Sequence, residues 1–203
     1  MKPAVARSKA SGGPPREVRI IGGQWKRSKL PVPDTPGLRP TPDRVRETLF
    51  NWLGQDLTGW RCLDAFAGSG ALGFEAASRG ASEVVLVERE AYLAKLLHAS
   101  QARFKADAVR VQAGDGLSFM QRAAPGTFDL VFLDPPFTAG IYERALAAAA
   151  PLAAPQGGWV YLEADHAFDD EALQPYALAV HRHARAGNVH FHLLQRKTAS
   201  GAA

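Results

Sequence analysis

Asp134-Pro135-Pro136-Phe137 is the stretch of this sequence with the most chemistry in it. An exocyclic amine on a nucleobase is a poor nucleophile, because its lone pair is delocalised into the ring. Hydrogen-bond acceptors beside both N–H groups draw such a nitrogen toward tetrahedral geometry and aim its lone pair at an electrophile. Asp134 supplies a carboxylate acceptor and Pro135 a backbone carbonyl, while the two prolines stiffen the loop and bring no competing N–H. Phe137 offers a flat apolar face on which a flipped base can stack. Taken alone, the same four residues could simply cap a turn and end a strand.

A second constellation lies upstream. Asp64-Ala65-Phe66-Ala67-Gly68-Ser69-Gly70-Ala71-Leu72-Gly73 follows a short apolar run and carries the G-x-G-x-x-G spacing. Glycines there allow a ligand to approach the backbone closely at the carboxyl end of a strand. Glu88 closes the next apolar run, 20 residues after Gly68, where its carboxylate could accept both hydroxyls of a ribose. A nucleoside cofactor is expected, either a dinucleotide or S-adenosylmethionine. Two details favour the latter. Asp64 would repel a pyrophosphate but attract an amino group, and Asp115, in Gly114-Asp115-Gly116, could accept from an adenine amine. With a methyl on a sulfonium as electrophile, no strong base is needed, and positioning and charge placement carry most of the rate.

These residues must be delivered to one edge, and the rest of the chain is patterned for it. From Trp60 onward, apolar runs at 61–64, 83–87, 109–111, 128–133 and 159–162 alternate with helical stretches near 71–79, 91–105, 116–123 and 141–150. That alternation predicts an α/β fold, a Rossmann-like parallel sheet covered by helices on both faces. Segments 176–181 and 189–194, joined by Gly187-Asn188, predict a closing hairpin. At the other end, 16–21 and 25–32 flank Gly22-Gly23-Gln24 and read as a second hairpin. Five prolines between Pro31 and Pro42 predict an extended connector. A helix follows Thr41, with Val45, Leu49, Trp52 and Leu53 at helical spacing. The expected division is a disordered leader over 1–15, a basic extension over 16–58, a catalytic domain over 59–197 and a flexible tail over 198–203.

Charge is distributed unevenly. Residues 1–46 hold 11 Lys and Arg against 3 acidic residues, whereas residues 47–203 hold 13 against 17. A basic arm of this kind suits a phosphate backbone, since each neutralised phosphate releases condensed counterions. Arg19, Lys26, Arg27, Lys29, Arg39, Arg44 and Arg46 are the candidate RNA contacts. No run approaches the roughly 20 apolar residues of a membrane span, and no apolar segment of a signal peptide opens the chain. A single cysteine, Cys62, rules out an internal disulfide and four-cysteine zinc chemistry. A cytoplasmic monomer is the default expectation, since no long apolar surface stripe demands a partner. His181, His183, His190 and His192 alternate near the end of the chain but read as polar-face residues, so no metal site is expected.

Four stretches resemble a known family, that of the bacterial 16S ribosomal RNA guanine-N2 methyltransferases D. They are 19–25 (Arg-Ile-Ile-Gly-Gly-Gln-Trp), 38–53 (from Leu-Arg-Pro-Thr-Pro-Asp-Arg to Asn-Trp-Leu), 64–73 and 134–137. The resemblance implies a class I S-adenosylmethionine-dependent fold: a seven-stranded, mostly parallel sheet with its last strand antiparallel, plus an N-terminal β-hairpin and helix that help hold RNA. It implies as substrate one guanine of 16S rRNA, in the 30S small ribosomal subunit or an assembly intermediate. It also implies that Asp64, Gly68, Gly70, Glu88 and Asp115 hold the cofactor, with Phe66, Ser69 and Gly116 beside them, and that Asp134 to Phe137 hold the base. The C-terminal segment 188–194 is only loosely like the family's last strand. Three rivals stand beside this reading: a DNA amino-methyltransferase acting on adenine or cytosine, a nicotinamide-dependent oxidoreductase, and a non-catalytic RNA-binding assembly factor.

Overall fold

The structure is a computed structural model, and it describes residues 16–33, 41–137 and 140–197. Its strands are β1 (Arg16–Arg19), β2 (Lys29–Val32), β3 (Arg61–Asp64), β4 (Glu83–Glu88), β5 (Val109–Ala113), β6 (Leu130–Leu133), β7 (Trp159–Ala164), β8 (Leu178–Ala186) and β9 (Val189–Arg196). Its helices are α1 (Asp43–Trp52), α2 (Ala71–Ser78), α3 (Ala91–Phe104), α4 (Gly116–Arg122), α5 (Ile141–Ala149) and α6 (Asp170–Leu173). Seven strands form one sheet in the order β5-β4-β3-β6-β7-β9-β8. The pairs from β5 to β7 are parallel, and β9 runs antiparallel to both β7 and β8. The expected α/β class, with its antiparallel last strand, is the one observed.

Side chains alternate across each strand, and the two faces build two cores. Cys62, Val84, Leu86, Leu130, Phe132 and Tyr161 face α1, α2, α3 and the N-terminal hairpin. Leu63, Val85, Val87, Val131, Leu133 and Leu162 face α4, α5 and α6. Burial on both sides explains why the strands read as near-continuous apolar runs rather than as alternating ones. The chain winds outward from β3 through β4 to β5, then returns to β6 on the other side of β3. Such a switch point leaves a crevice at the carboxyl ends of the two central strands. Asp64 ends one of them and Asp134 follows the other.

The N-terminal hairpin is shorter than its sequence suggests. β1 and β2 pair over four residues each, from Arg16 opposite Val32 to Arg19 opposite Lys29. Residues 22–28 turn instead of extending, because their polar groups are used elsewhere. The backbone N–H groups of Ile21 and Gly22 donate to the Glu75 carboxylate at 2.8 Å each, and that of Trp25 donates to Ser78 Oγ at 2.9 Å. The Trp25 ring stacks on Phe104 at 5.2 Å, so it is packed against the core rather than held out for RNA. Trp52 stacks on Phe191 at 5.3 Å, the core role expected of it. Hairpin, α1 and sheet thus share one apolar cluster. Among the described residues no helix is long and apolar enough to cross a membrane.

Candidate active site

Strand alternation places Asp64, Glu88, Asp134 and Glu163 on the same face, the one covered by α1 and the hairpin. Asp64 lies in register with Phe132, and Phe132 with Tyr161. Asp134 and Glu163 are each two positions further on, so they stand side by side one row above Asp64. The crevice is lined by carboxylates, and such a lining favours a cationic occupant.

Asp64 is 1% exposed. Its Oδ2 accepts from Gly73 N at 3.1 Å, while its Oδ1 has no hydrogen-bond partner. A buried acceptor left unpaired is costly. Burial, with Glu88 and Glu163 adding repulsion, pushes the Asp64 carboxyl up to about 7. An amino group placed beside Oδ1 would satisfy the orphan oxygen and hold the group ionised. A pyrophosphate would do the opposite. The glycine loop that follows supports the same reading. Gly70 sits at φ +77 at the start of α2 and brings no side-chain cap, so of the helix's first turn it is Gly73 N that is met by a side chain, that of Asp64. A Cβ on Gly116 would lie 2.0 Å from the Ala65 carbonyl oxygen, so only glycine lets α4 approach this loop. Gly68 N donates to Glu88 Oε2 at 2.7 Å, locking the loop to the end of β4. Ser69 is buried and Phe66 half-buried in the same loop.

Two expected cofactor contacts are already engaged with backbone. Glu88 accepts from Gly68 N and, through Oε1, from Glu90 N at 2.7 Å; each oxygen has a second lone pair for a hydroxyl. Asp115 is exposed, and its Oδ1 caps α4 by accepting from Ser118 N at 2.8 Å. That bond, first, holds its carboxyl below the usual range.

Beyond β6, Pro135 is buried and Phe137 is 49% exposed, its ring 6.4 Å from that of Tyr142. Sequence reasoning missed the groups that surround Asp134. Thr41 Oγ1 lies 3.4 Å from Asp134 Oδ2 and donates to Glu163 Oε1 at 2.8 Å. The Tyr161 hydroxyl donates to the same Oε1 at 2.8 Å. Burial, then Glu163 and Asp64, hold the Asp134 carboxyl well above the usual range. Glu163 closes an apolar run just as Glu88 does, and that shared pattern was the available signal. Thr41 sits inside the 38–53 stretch that carries the family resemblance.

Of the candidate RNA contacts, Arg19, Lys26, Arg27, Lys29 and Arg44 are exposed, and Arg39 lies outside the described residues. Arg46 is a correction. It is wholly buried, donating to Asp43 at 2.6 Å, to Glu75 at 3.3 Å and to the Arg19 carbonyl at 2.6 Å. It lies on the apolar face of α1 with Val45, Leu49 and Phe50, so it cannot reach a phosphate. The histidines also differ from expectation. His192 is buried and its Nε2 accepts from Phe168 N at 3.1 Å, with burial pulling its pKa down to about 4. Among the described residues no group of three or more His, Cys, Asp or Glu could hold a metal ion.

Comparison with known proteins agrees with this geometry. The family described as "Conserved hypothetical protein 95" matches residues 18–195. Ribosomal RNA small subunit methyltransferase D of Escherichia coli K12 is 43% identical over 187 residues, covering 89% of this chain and 91% of that protein. The protein of the same name from Haemophilus influenzae is 45% identical over 133 residues, covering 64% and 69%. The solved structure of Escherichia coli yhhF superposes with a TM-score of 0.80 at 41% identity, covering 90% of this chain and 99% of that one. The match runs through hairpin, crevice and closing strands alike, and this chain belongs to the family of the ribosomal RNA small subunit methyltransferases D.

Proposed function

We propose that this protein transfers a methyl group from S-adenosylmethionine to the exocyclic N2 amine of a guanine in 16S rRNA, in the small ribosomal subunit or its precursor. One observation carries the reading. The Asp64 carboxyl, with its buried orphan oxygen, and the Asp134-Pro135-Pro136-Phe137 loop lie at the carboxyl ends of adjacent strands. Asp64 would hold the cofactor's amino group, the start of α2 its carboxylate, and Glu88 its ribose. Asp115 and Gly116 border the adenine end, with Phe66, Gly68, Ser69 and Gly70 forming the wall between. When bound, the cofactor supplies a methyl carbon whose bond to sulfur breaks as its electron pair goes to the sulfonium sulfur. Asp134 and the Pro135 carbonyl would accept from the two N–H groups of the amine, and Phe137 would stack on the base. Arg19, Lys26, Arg27, Lys29 and Arg44 would meet the RNA backbone. The relatives' names support small-subunit rRNA as substrate, and the base and nitrogen rest on the family resemblance.

The test is transfer of radiolabelled methyl to unmethylated 30S subunits, with naked 16S rRNA and duplex DNA alongside. N2-methylguanosine should be recovered from the RNA. Asp134→Ala should lower transfer at least 100-fold with RNA binding kept. Label found only in DNA would replace the substrate, and Asp134→Ala without effect would remove the loop from the chemistry.

A further inference from the structure

Deepening that reading, and resting on it for the reaction, we infer that Asp134, Thr41 and Glu163 form a buried relay sharing one proton, in which Glu163 and Thr41 set when Asp134 is ionised. The hydrogen bonds assign the proton. Glu163 Oε1 accepts from two hydroxyls at 2.8 Å, Thr41 and Tyr161, which suits the charged member of the pair. The Thr41 hydroxyl is also 3.4 Å from Asp134 Oδ2 and can point its one hydrogen to either carboxylate; with that hydrogen on the nearer Glu163, a protonated Asp134 donates to the Thr41 lone pair. Two carboxyls this close, Glu163 buried and Asp134 half-buried, cannot both ionise cheaply, so one proton stays between them. Burial raises both carboxyls; the Glu163 charge raises Asp134 further, while the Tyr161 and Thr41 hydroxyls draw Glu163 back down, which accords with this.

Every group facing the pair fits the assignment. Asp64 on β3, when ionised, adds negative charge that raises the Asp134 carboxyl further. Tyr161 on β7 and Tyr142 on α5 are neutral phenols whose ionisation is pushed upward, above all by burial. Arg46 on α1 reaches the Thr41 carbonyl at 3.3 Å, but its charge is matched by Glu75 and Asp43. No cation in contact with Asp134 or Glu163 is found among the described residues.

The relay has a use in amine methylation. Asp134 accepts more strongly from the amine as a carboxylate and must be one to take a proton from it; passing its proton through the Thr41 hydroxyl to Glu163 makes it one without opening the site to water. Once the nitrogen lone pair has formed its bond to the methyl carbon, the amine carries an extra proton. That proton moves to Asp134, which restores the neutral acid, and the relay then holds two protons. One of them leaves to solvent, returning Asp134 protonated and Glu163 ionised. Glu163 and Thr41 touch neither amine nor cofactor in this scheme; they are positioning residues.

Two measurements test it. In the ligand-free protein at pH 7, infrared difference spectroscopy should show the carbonyl stretch of a protonated carboxylic acid. The band should survive Asp64→Asn, disappear when Asp134→Asn is added to Asp64→Asn, and titrate about 1–2 pH units lower in Glu163→Gln. In single-turnover transfer to 30S subunits, the acid limb of the pH–rate profile should move down by the same interval in Glu163→Gln. Thr41→Val should lose at least tenfold in rate at saturating RNA, and Thr41→Ser should restore it. An acid limb unmoved by Glu163→Gln, or a band that persists in Asp134→Asn once Asp64 is also Asn, would overturn the relay. Should Glu163→Gln fold poorly, the Thr41 pair and the Asp134→Asn spectrum decide alone. Absence of transfer in the wild type, with the band behaving as described, would instead count against the methylation reading and leave the proton assignment standing.

Discussion

A buried carboxylate oxygen without a partner is costly until something pairs it, and Asp64 Oδ1 gives that statement a sign. Its folded carboxyl titrates at about 7 against an ordinary 3.8, chiefly through burial. A group that holds its proton more tightly when folded contributes stability in full below pH 4 and loses it as pH rises to about 7. A shift of about three units corresponds to about 4 kcal/mol at 1.36 kcal/mol per unit, an upper bound on the strain relieved when the charge is removed. Asp64→Asn should therefore raise the melting temperature of the ligand-free protein by about 5 °C at pH 8, with the difference closing toward pH 4. The same substitution should abolish S-adenosylmethionine binding. Wild-type affinity should fall about tenfold per unit as pH drops below 7. Calorimetric melting and titration between pH 4 and 8.5 read all three, and cofactor affinity independent of pH would refute the pairing. Asp64 was legible because it abuts a glycine loop with known spacing. Thr41 and Glu163 were not, since they meet across 122 residues of sequence and no local pattern encodes that contact.

At the scale of elements, apolar runs bounded by turns located every strand of the parallel sheet, because burial on both faces leaves an unmistakable sequence trace. Register and capping could not be read that way. The second strand of the N-terminal hairpin lost residues 25–28 to a turn whose backbone donors go to α2, and α2 advertised nothing but a lone Glu75 in an apolar helix. Glu75 is the hub that the sequence concealed. Fully buried, it accepts from Ile21 N and Gly22 N and pairs with Arg46 at 3.3 Å and Arg79 at 2.8 Å, so hairpin, α1 and α2 are joined through one carboxylate. Removing one member of a buried ionic cluster leaves the others charged and unpaired, which costs about 3–5 kcal/mol. Glu75→Ala should lose that amount in urea unfolding, and a loss below 1 kcal/mol would mean that solvent reaches the arginines in the wild type. The burial of Arg46 had a local signal. Positions 46, 49, 50 and 53 share a helical face, and the residue's basic type obscured its periodicity.

The whole molecule is electrically divided. Its crevice is acidic, suited to a cofactor bearing a sulfonium and an amine, while its N-terminal extension is basic, suited to a polyanion. Thr41 joins the two, since it closes the connector from the extension and touches both Asp134 and Glu163. RNA bound on the extension, as proposed, would lie next to Asp134. The extension's cations are not equivalent. Arg19 is paired with Asp43 at 3.1 Å and Lys29 with Glu17 at 2.6 Å, both in exposed bridges of small net worth. Lys26, Arg27 and Arg44 make no ion pair among the described residues, so in the proposed RNA contact they would release counterions without first breaking a bond. Each phosphate contact contributes about 0.7–0.9 to the slope of log affinity against log salt. Replacing Lys26 and Arg44 by Ala should flatten that slope, together with Arg27→Asn, which keeps the left-handed backbone found there at φ +72. The triple variant's slope should be shallower by about 2–3 on 16S rRNA, with S-adenosylmethionine affinity and melting temperature held. A slope equal to the wild type's would move the RNA footprint off this face, and the same loss in slope from Arg19 and Lys29 alone would mean that the ion pairs do not restrain those side chains.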